Sequence, residues 1–415
     1  MPRQKTTGHT WTFKARFRTS AYGWRGSSLA ITRLKEAVSE ITKVSKVDPI
    51  LAADGAVALM ERLWPALQDI DTSSGALGSA VHRTLEALIP ILVKAPADPK
   101  TRGKWLERLF KAVQEDGVQY LTPVEERWGE IAIYQEHINA YADRLLPSLR
   151  RIWSEEKGGG FLNGTDICLS SLLEAGRYDE LFEVLGLRSY RFWAYDHFAA
   201  EALVRMGRTD AAIAYAEAAR NSRTGHYEQR GIDAFCERVL IDAGRADEAY
   251  RRFGLRTAQA TTYLAAYRAT VKRYPGIEPR RILLDLIEAR GSKGKWFAAA
   301  KETEFLDIAL DCAAAYDAEP ATLIRAARDF TESEPSFAAS VSLVALQGLL
   351  RGRGYDAREA DVLAACDHLL TAAQRLGAMI WMKEQIDVLL AMPISTDRQP
   401  FRQAIGDWLK SLSAT

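Results

Sequence analysis

Histidine and cysteine are scarce in this chain: 415 residues hold six His and four Cys. Cys168, Cys236, Cys312 and Cys366 stand 54 to 76 positions apart, each inside an apolar helical pattern. That spacing makes neither a zinc knuckle nor a CxxC redox pair, so the four read as reduced core thiols of a cytoplasmic protein. The histidines form no HExxH or His-x-His pattern, and only His197 shares a helical face with an acid, Glu201. One His and one Glu are half a metal site, read here as a helix-surface hydrogen bond. A phosphate loop of the GxxxxGK[ST] type is also missing. Gly291-Ser292-Lys293-Gly294-Lys295-Trp296 has its composition without its spacing and falls between two helices, and Gly158-Gly159-Gly160 lacks the following Lys. No GxSxG elbow occurs, and Cys366 and His368, two apart on a helix, point to different faces. No catalytic, cofactor or metal site is therefore expected. No apolar stretch approaches the roughly 18 residues of a membrane span, and no apolar core follows the basic N-terminus as in a secretory signal. A soluble, cytoplasmic protein with no membrane partner is the expectation.

Charge is present in ordinary amount but unevenly placed. The chain carries 55 Lys plus Arg against 54 Asp plus Glu, for a net charge of +1. Residues 1–35 hold eight basic residues and no acid, which leaves the remaining 380 residues at −7. A second basic stretch lies at 272–301, where Lys272, Arg273, Arg280, Arg281, Arg290, Lys293, Lys295 and Lys301 face only Glu278, Asp285 and Glu288. Residues 1–28 form a basic, aromatic arm. Within it Thr10 to Arg18 alternate polar residues with Trp11, Phe13, Ala15 and Phe17, and a period of two suits a short extended segment.

From Leu29 onward the periodicity is helical. Ser27 or Ser28 can cap the first helix, and Asp48-Pro49 places a cap before a first-turn proline. Helices are predicted near 49–68, 75–94, 99–116, 123–133 and 135–155, the last with Pro147 inside it as a kink or break. Glu155 to Gly160 reads as the most flexible stretch, so the main boundary is placed there, between a helical domain over 29–157 and a second over 158–415. Nine further helices fit between 257 and 412, with Pro279, Pro320 and Pro335 at first-turn positions. Nothing after 160 reads as a strand, which excludes an alternating helix–strand fold.

The second half repeats. Leu173 to Leu181, Val204 to Ala212 and Ile241 to Ala249 each carry Gly-Arg-x-Asp, with Gly176, Gly207 and Gly244 spaced by 31 and 37 residues. Glycine supplies the left-handed residue just past one helix, and the Asp three residues later can accept from the first amides of the next. Small residues around the turn (Ala211, Ala212, Ala214, Ala216, Ala218 and Ala219) let two helices approach closely. One hairpin cannot bury its own apolar face, so such hairpins stack. Residues 172–187, 203–220 and 240–255 resemble the middle of tetratricopeptide-type repeats, Met206 to Ala219 most closely, and Phe305 to Leu310 resembles a degenerate fourth turn without its glycine. As a whole the arrangement is similar to bacterial α-solenoid proteins to which no activity is attached. The spacing departs from 34, and neither the closing Pro nor the first-helix Trp is present. The resemblance implies an all-α solenoid of stacked hairpins forming a right-handed superhelix.

Three segments are candidate sites. Tyr190 to Tyr195 gathers aromatics and an arginine between two turns, the composition of a binding hot spot. With Arg177 it supplies Arg191, Trp193 and Tyr195 as expected protein contacts; packing between repeats is the alternative. The arm offers Lys14, Arg16, Arg18, Trp24 and Arg25, and the 272–301 patch offers Arg280, Arg281, Lys293 and Lys295, for nucleic acid or an acidic partner. Packing of the arm's aromatics on the first helices, and a solvated face for the patch, are the alternatives there. The expected function is a non-catalytic scaffold for a protein partner or a second copy of the chain, with a nucleic-acid-associated factor as the alternative. An enzyme would require buried acids or histidines from distant helices to converge in one cleft.

Overall fold

A computed structural model describes residues 9–155, 160–189, 191–220 and 225–413, and every regular element among them is helical. The chain divides into two compact units, Met1–Val239 and Leu240–Thr415. The first holds α1 (Phe13–Arg16), α2 (Ser27–Ser45), α3 (Pro49–Leu67), α4 (Ala76–Lys94), α5 (Pro99–Glu115), α6 (Thr122–Glu126), α7 (Trp128–Ala132), α8 (Gln135–Glu155), α9 (Thr165–Glu174), α10 (Tyr178–Gly186), α11 (Trp193–Arg205) and α12 (Thr209–Ala218). The division falls inside α13 (His226–Asp242). The second unit continues with α14 (Ala246–Ala249), a π-helical turn at Tyr250–Gly254, α15 (Leu255–Thr257), α16 (Tyr263–Arg273), α17 (Pro279–Arg290), α18 (Phe297–Glu302) and α19 (Leu306–Ala313). It ends with α20 (Pro320–Phe330), α21 (Pro335–Leu350), α22 (Glu359–Leu376), α23 (Met379–Ala391) and α24 (Gln399–Ser413). The boundary expected near 157 lies instead inside the first unit. There α8 packs on α9, and Trp153 Nε1 donates to the Gly160 carbonyl at 3.2 Å. Residues 156–159 are outside the described set.

Local chemistry explains several helix starts. Asp48 accepts from Leu51 N at 2.9 Å and Asp98 from Thr101 N at 3.0 Å, each followed by proline, whose absent N–H needs no partner in the first turn. Pro279, Pro320 and Pro335 open α17, α20 and α21 with the same first-turn proline, after Glu278, Glu319 and Glu334, which make no side-chain cap bond. Two expectations are corrected. α2 begins at Ser27 with Gly26 as its N-cap, so neither serine caps it. Of the kink or break expected at Pro147, the break does not occur: α8 continues through it, because Ile138, Tyr141, Leu145 and Leu149 keep one buried face on both sides of the missing hydrogen bond. A buried guanidinium closes the other end of α4: Arg102 donates to the carbonyls of Leu92 at 2.7 Å, Ala95 at 2.6 Å and Ile131 at 3.2 Å.

The repeated turns share one hydrogen-bond geometry. Gly176, Gly207 and Gly244 have φ of 72°, 73° and 75°. Each glycine N–H bonds back to the carbonyl three residues earlier, and each following Arg N–H to the carbonyl five earlier: Arg177 to Leu172, Arg208 to Leu203 and Arg245 to Leu240. This paired closure is the Schellman motif. It recurs at Gly352 and Gly377, and at Glu304, whose φ of 62° puts an ordinary side chain where glycine belongs. The degenerate fourth turn is therefore a true copy in backbone terms. The expected capping role of Asp179, Asp210 and Asp247 is corrected. Each is the second residue of the next helix, where its charge faces the positive dipole end, and the N-cap is Arg177, Arg208 or Arg245.

Packing follows chain order in each unit. α9 lies against α7, α8, α10 and α11, and α21 against α19, α20 and α22, so neighbouring hairpins share a core. Within the first unit α3 buries Ala52, Ala53, Gly55, Ala56 and Ala58, small residues that admit close approach of α2, α4 and α5. One helix, Ala76–Lys94, is long and apolar enough to cross a membrane by length and composition, with a mean hydropathy of 1.3, so the expectation that no stretch comes near is corrected. Its Leu77, Val81, Leu85, Leu88 and Leu92 point into the core, whereas His82, Arg83 and Glu86 face outward.

The expected extended arm is also corrected. Phe13–Arg16 makes one helical turn, and Trp11, Phe13, Phe17 and Tyr22 are buried with the core of α2 and α3. A spacing of four between Phe13 and Phe17 suits a helical turn as well as it suits alternation. Trp11 lies against Gly55, where a Cβ would fall on the indole ring. Thr12 N donates to Glu40 at 2.9 Å, Arg16 pairs with Glu36, and Ser20 N donates to the Pro65 carbonyl at 2.8 Å. Full burial of each aromatic contributes about 1.5–3 kcal/mol, enough to hold so short a segment.

Candidate binding site

Folding the arm onto α3 and α5 creates a groove of about 530 Å³ in the first unit. Lys14, Phe17, Arg18 and Thr19 form one wall; Glu61, Arg62 and Pro65 of α3, with Arg108, Lys111, Ala112 and Glu115 of α5, form the other. The α5 residues recur at intervals of three and four, so they share one helical face. Lys14, within the short turn, and Arg18, two residues past its end, line the groove together with the anchoring Phe17. Both are exposed and make no ion pair among the described residues. Arg108 is committed: its guanidinium takes Glu61 through two bonds at 2.9 and 2.7 Å and Asp54 at 2.6 Å. Arg62 donates to the Ala58 carbonyl at 2.8 Å, and Lys111 stands 3.7 Å from Glu115. Five basic residues thus line the groove against two acids. Sequence reasoning found Lys14 and Arg18 but missed Arg62, Arg108 and Lys111, because only the docked arm brings three helices' cations together.

The other arm residues lie elsewhere. Arg33 and Arg16 together hold the Glu36 carboxyl below its usual range. Arg25 is exposed, and Trp24 is 68% exposed with its carbonyl accepting from Asp71 N at 3.0 Å.

The hot-spot residues are gathered around a buried acid that the sequence did not single out. Asp196 is fully buried and accepts from Arg188 at 2.6 Å, Arg191 at 3.2 Å, Phe192 N at 2.8 Å and Tyr215 Oη at 3.3 Å. Arg191 also lies over the Tyr215 ring at 4.0 Å. Tyr195 meets Trp153 at 5.7 Å and Phe192 at 5.1 Å, and Trp193 packs edge-on to Phe235 at 5.4 Å. Tyr190 lies outside the described residues. Arg191, two residues before α11, and Trp193 and Tyr195 in its first turn are thus engaged largely in contacts with α12, α13 and α8 respectively. Arg177 forks onto Glu180 at 2.6 and 2.9 Å and reaches Asp143 at 2.6 Å; chiefly the Glu180 bond raises its pKa further. Arg245 and Glu248 repeat this fork in the third turn. His197 turns to the Trp193 carbonyl at 3.3 Å rather than to Glu201, which pairs with Arg238 at 2.6 Å.

In the second unit much of the 272–301 patch is compensated, chiefly by acids of α19. Arg280 pairs with Asp307 and holds that carboxyl down at about 2. Arg281 stands 3.6 Å from Asp285 and Lys293 2.6 Å from Asp311. Lys295 is exposed and makes no ion pair among the described residues.

One cleft does gather displaced acids. Asp116 and Glu125 line a cavity of about 300 Å³ with Gly117, Gln119, Phe161 and Asn163. Burial pushes Glu125 up to about 8, with Asp166, Asp116 and Glu126 adding repulsion. Burial, then Glu126, raises Asp166 to about 7, and its Oδ1 has no hydrogen-bond partner. Asp116 is held by the loop itself, accepting from Val118 N at 3.2 Å and Leu121 N at 2.8 Å. Among the described residues no three His, Cys, Asp or Glu side chains gather to hold a metal ion.

No family model matches the chain, and no curated protein does. Among solved structures, a circular tandem repeat protein with novel repeat topology and enhanced subunit contact surfaces is similar at a TM-score of 0.17 and 13% identity. That likeness covers 93% of this chain and 89% of the other. A TM-score of that size fixes no fold, and the tandem helical hairpins rest on the packing and turn geometry of the chain itself.

Proposed function

We propose that the chain is a non-catalytic interaction module, a scaffold of tetratricopeptide-type hairpins that engages a protein partner or a second copy of itself. The observation that carries this reading is the recurrence of one Schellman-ended hairpin, at Gly176, Gly207, Gly244, Glu304, Gly352 and Gly377, packed in chain order. Repetition of that kind builds extended surface from a short-range rule, and surface is what binding needs. The four cysteines are free and buried, which suits a reducing, cytoplasmic setting. The alternative, nucleic-acid association, loses support in the arm, because four of its five aromatics are buried and cannot stack on bases.

A second reading has one observation in its favour. Glu125 and Asp166 keep their protons near neutrality, as a general acid must. No nucleophile or cation lines that cleft, so binding without chemistry remains the leading proposal. The test is cross-linking of the full chain in its native host, followed by light scattering of the purified chain with and without the partner recovered. A stoichiometric complex, or a concentration-dependent dimer, is expected. A chain that stays monomeric and forms no complex with any recovered protein when both are purified would overturn the proposal.

A further inference from the structure

We propose that the groove between the N-terminal segment and helices α3 and α5 binds a small phosphate-bearing anion. The argument starts from charge. Lys14, Arg18, Arg62, Arg108 and Lys111 line one cavity against Glu61 and Glu115, a net of +3, and counting Asp54 beside Arg108 leaves +2. Glu61 takes Arg108 through two bonds and stands 4.0 Å from Arg62, so it offers little to Lys14 and Arg18. Lys14 and Arg18 have no counter-ion among the described residues; cations brought together in excess oppose folding, and here they are gathered by other forces. Phe13 and Phe17, nearly fully buried, fix the turn from which Lys14 and Arg18 project. An anion seated between the two walls would relieve that repulsion and tie the segment to both helices.

The lining also selects the ligand. Arginine presents its donors in a planar fork that matches phosphate oxygens, and lysine adds a mobile point charge. Arg18 and Arg62 with Lys14 and Lys111 supply two of each. A volume of about 530 Å³ lies within the ordinary range for small-ligand sites, about 300–1,000 Å³. The only aromatic side chain in the lining, Phe17, is spent on the core, so the groove has no ring on which a base could stack. Recognition would rest on phosphate groups, at least two of them given the cations on both walls. Nothing in this inference depends on the hairpins engaging a protein partner.

The test uses the full chain and inorganic tripolyphosphate as probe, titrated by calorimetry and followed by thermal shift against sodium chloride of matched ionic strength. Saturable binding is expected, with slower tryptic cleavage after Lys14 and Arg18. The double variant Lys14→Ala, Arg18→Ala removes two exposed side chains and should bind at least tenfold more weakly while keeping its circular dichroism. Lys43→Ala, Lys46→Ala, exposed on the far end of α2, should bind as the parent does. A thermal shift no larger than the salt control, or full affinity in the Lys14→Ala, Arg18→Ala chain, overturns the proposal. So does tight binding of a single-stranded oligonucleotide lost in that variant when tripolyphosphate binds no better than sulfate, which would reassign the groove to nucleic acid.

Discussion

Replacing Gly207 by alanine isolates the cost of the left-handed turn, because a Cβ at that position meets nothing within 4 Å. The residue sits at φ 73°. Holding an L-residue there costs about 1–2 kcal/mol, and the stiffer unfolded chain of the alanine variant returns about 0.4–1 kcal/mol. A net loss of about 1 kcal/mol follows. The fourth turn supplies the reverse experiment. Glu304 is exposed at φ 62°, so Glu304→Gly should stabilise by about 0.5–1 kcal/mol. In units of this size each kcal/mol moves Tm by about 2–4 °C. Urea unfolding is the assay, with the midpoint shifting in opposite directions and the m-value constant. Asparagine tolerates the left-handed region, so Gly207→Asn should lose less than Gly207→Ala. Gly129→Ala provides contrast, since its Cβ would stand 2.8 Å from the Ser170 carbonyl, and it should cost more. The reasoning is refuted if Gly207→Ala is neutral, if the asparagine variant is no better than alanine, or if Glu304→Gly destabilises.

Asp196→Ala should cost about 3–5 kcal/mol, because it leaves the buried Arg188 guanidinium without its counter-charge; calorimetric unfolding would measure it. Gly55→Ala should cost about 1–3 kcal/mol by forcing Trp11 from its seat, with new tryptic cleavage at Arg16 and Arg18 as the readout. The first unit should lose stability as pH rises from about 4 to about 8: folded Glu125 and Asp166 keep protons that the unfolded chain has already released, so the unfolded state binds fewer protons across that interval. Glu125→Gln should flatten the slope and raise stability at pH 8 by about 1–3 kcal/mol, read from urea midpoints across pH.

The helices, and the starts marked by proline, were legible because capping and proline chemistry act within four residues. Asp48-Pro49 and the three later prolines state their position locally, and so does Gly-Arg-x-Asp. What was not legible came from contacts distant in sequence. The alternation of Trp11, Phe13 and Phe17 fits a strand or a turn equally, and the decision is made by Gly55, whose missing side chain opens a seat for an indole 44 positions away. The buried guanidiniums of Arg102 and Arg188 were invisible for the same reason. Nothing local distinguishes an arginine bound for the interior from one on the surface, and each is paid in hydrogen bonds to carbonyls or to an acid on another element. Arg177, chosen as a contact residue, belongs to the signature itself through its fork to Glu180, which the spacing Gly-Arg-x-Asp-Glu already contained.

The distribution of charge separates two basic segments that the sequence makes look alike. In 272–301 the acids that neutralise the patch come from just downstream: Asp307 and Asp311 lie on α19, beyond the window in which the charge was counted, and they take Arg280 and Lys293. The N-terminal segment finds its acids on α2, where Glu36 and Glu40 take Arg16 and Thr12, but its other face meets α3 and α5, which add cations. A count along the sequence cannot tell these apart, because compensation depends on which helix face a segment meets. Surface ion pairs contribute only about 0–1 kcal/mol each, so the paired patch is explained by solubility and local order alone. The groove has no such explanation. Two of its cations, Lys14 and Arg18, are held there by the buried aromatics beside them and make no ion pair among the described residues, and that difference is why ligand binding is argued for the first segment and not for the second.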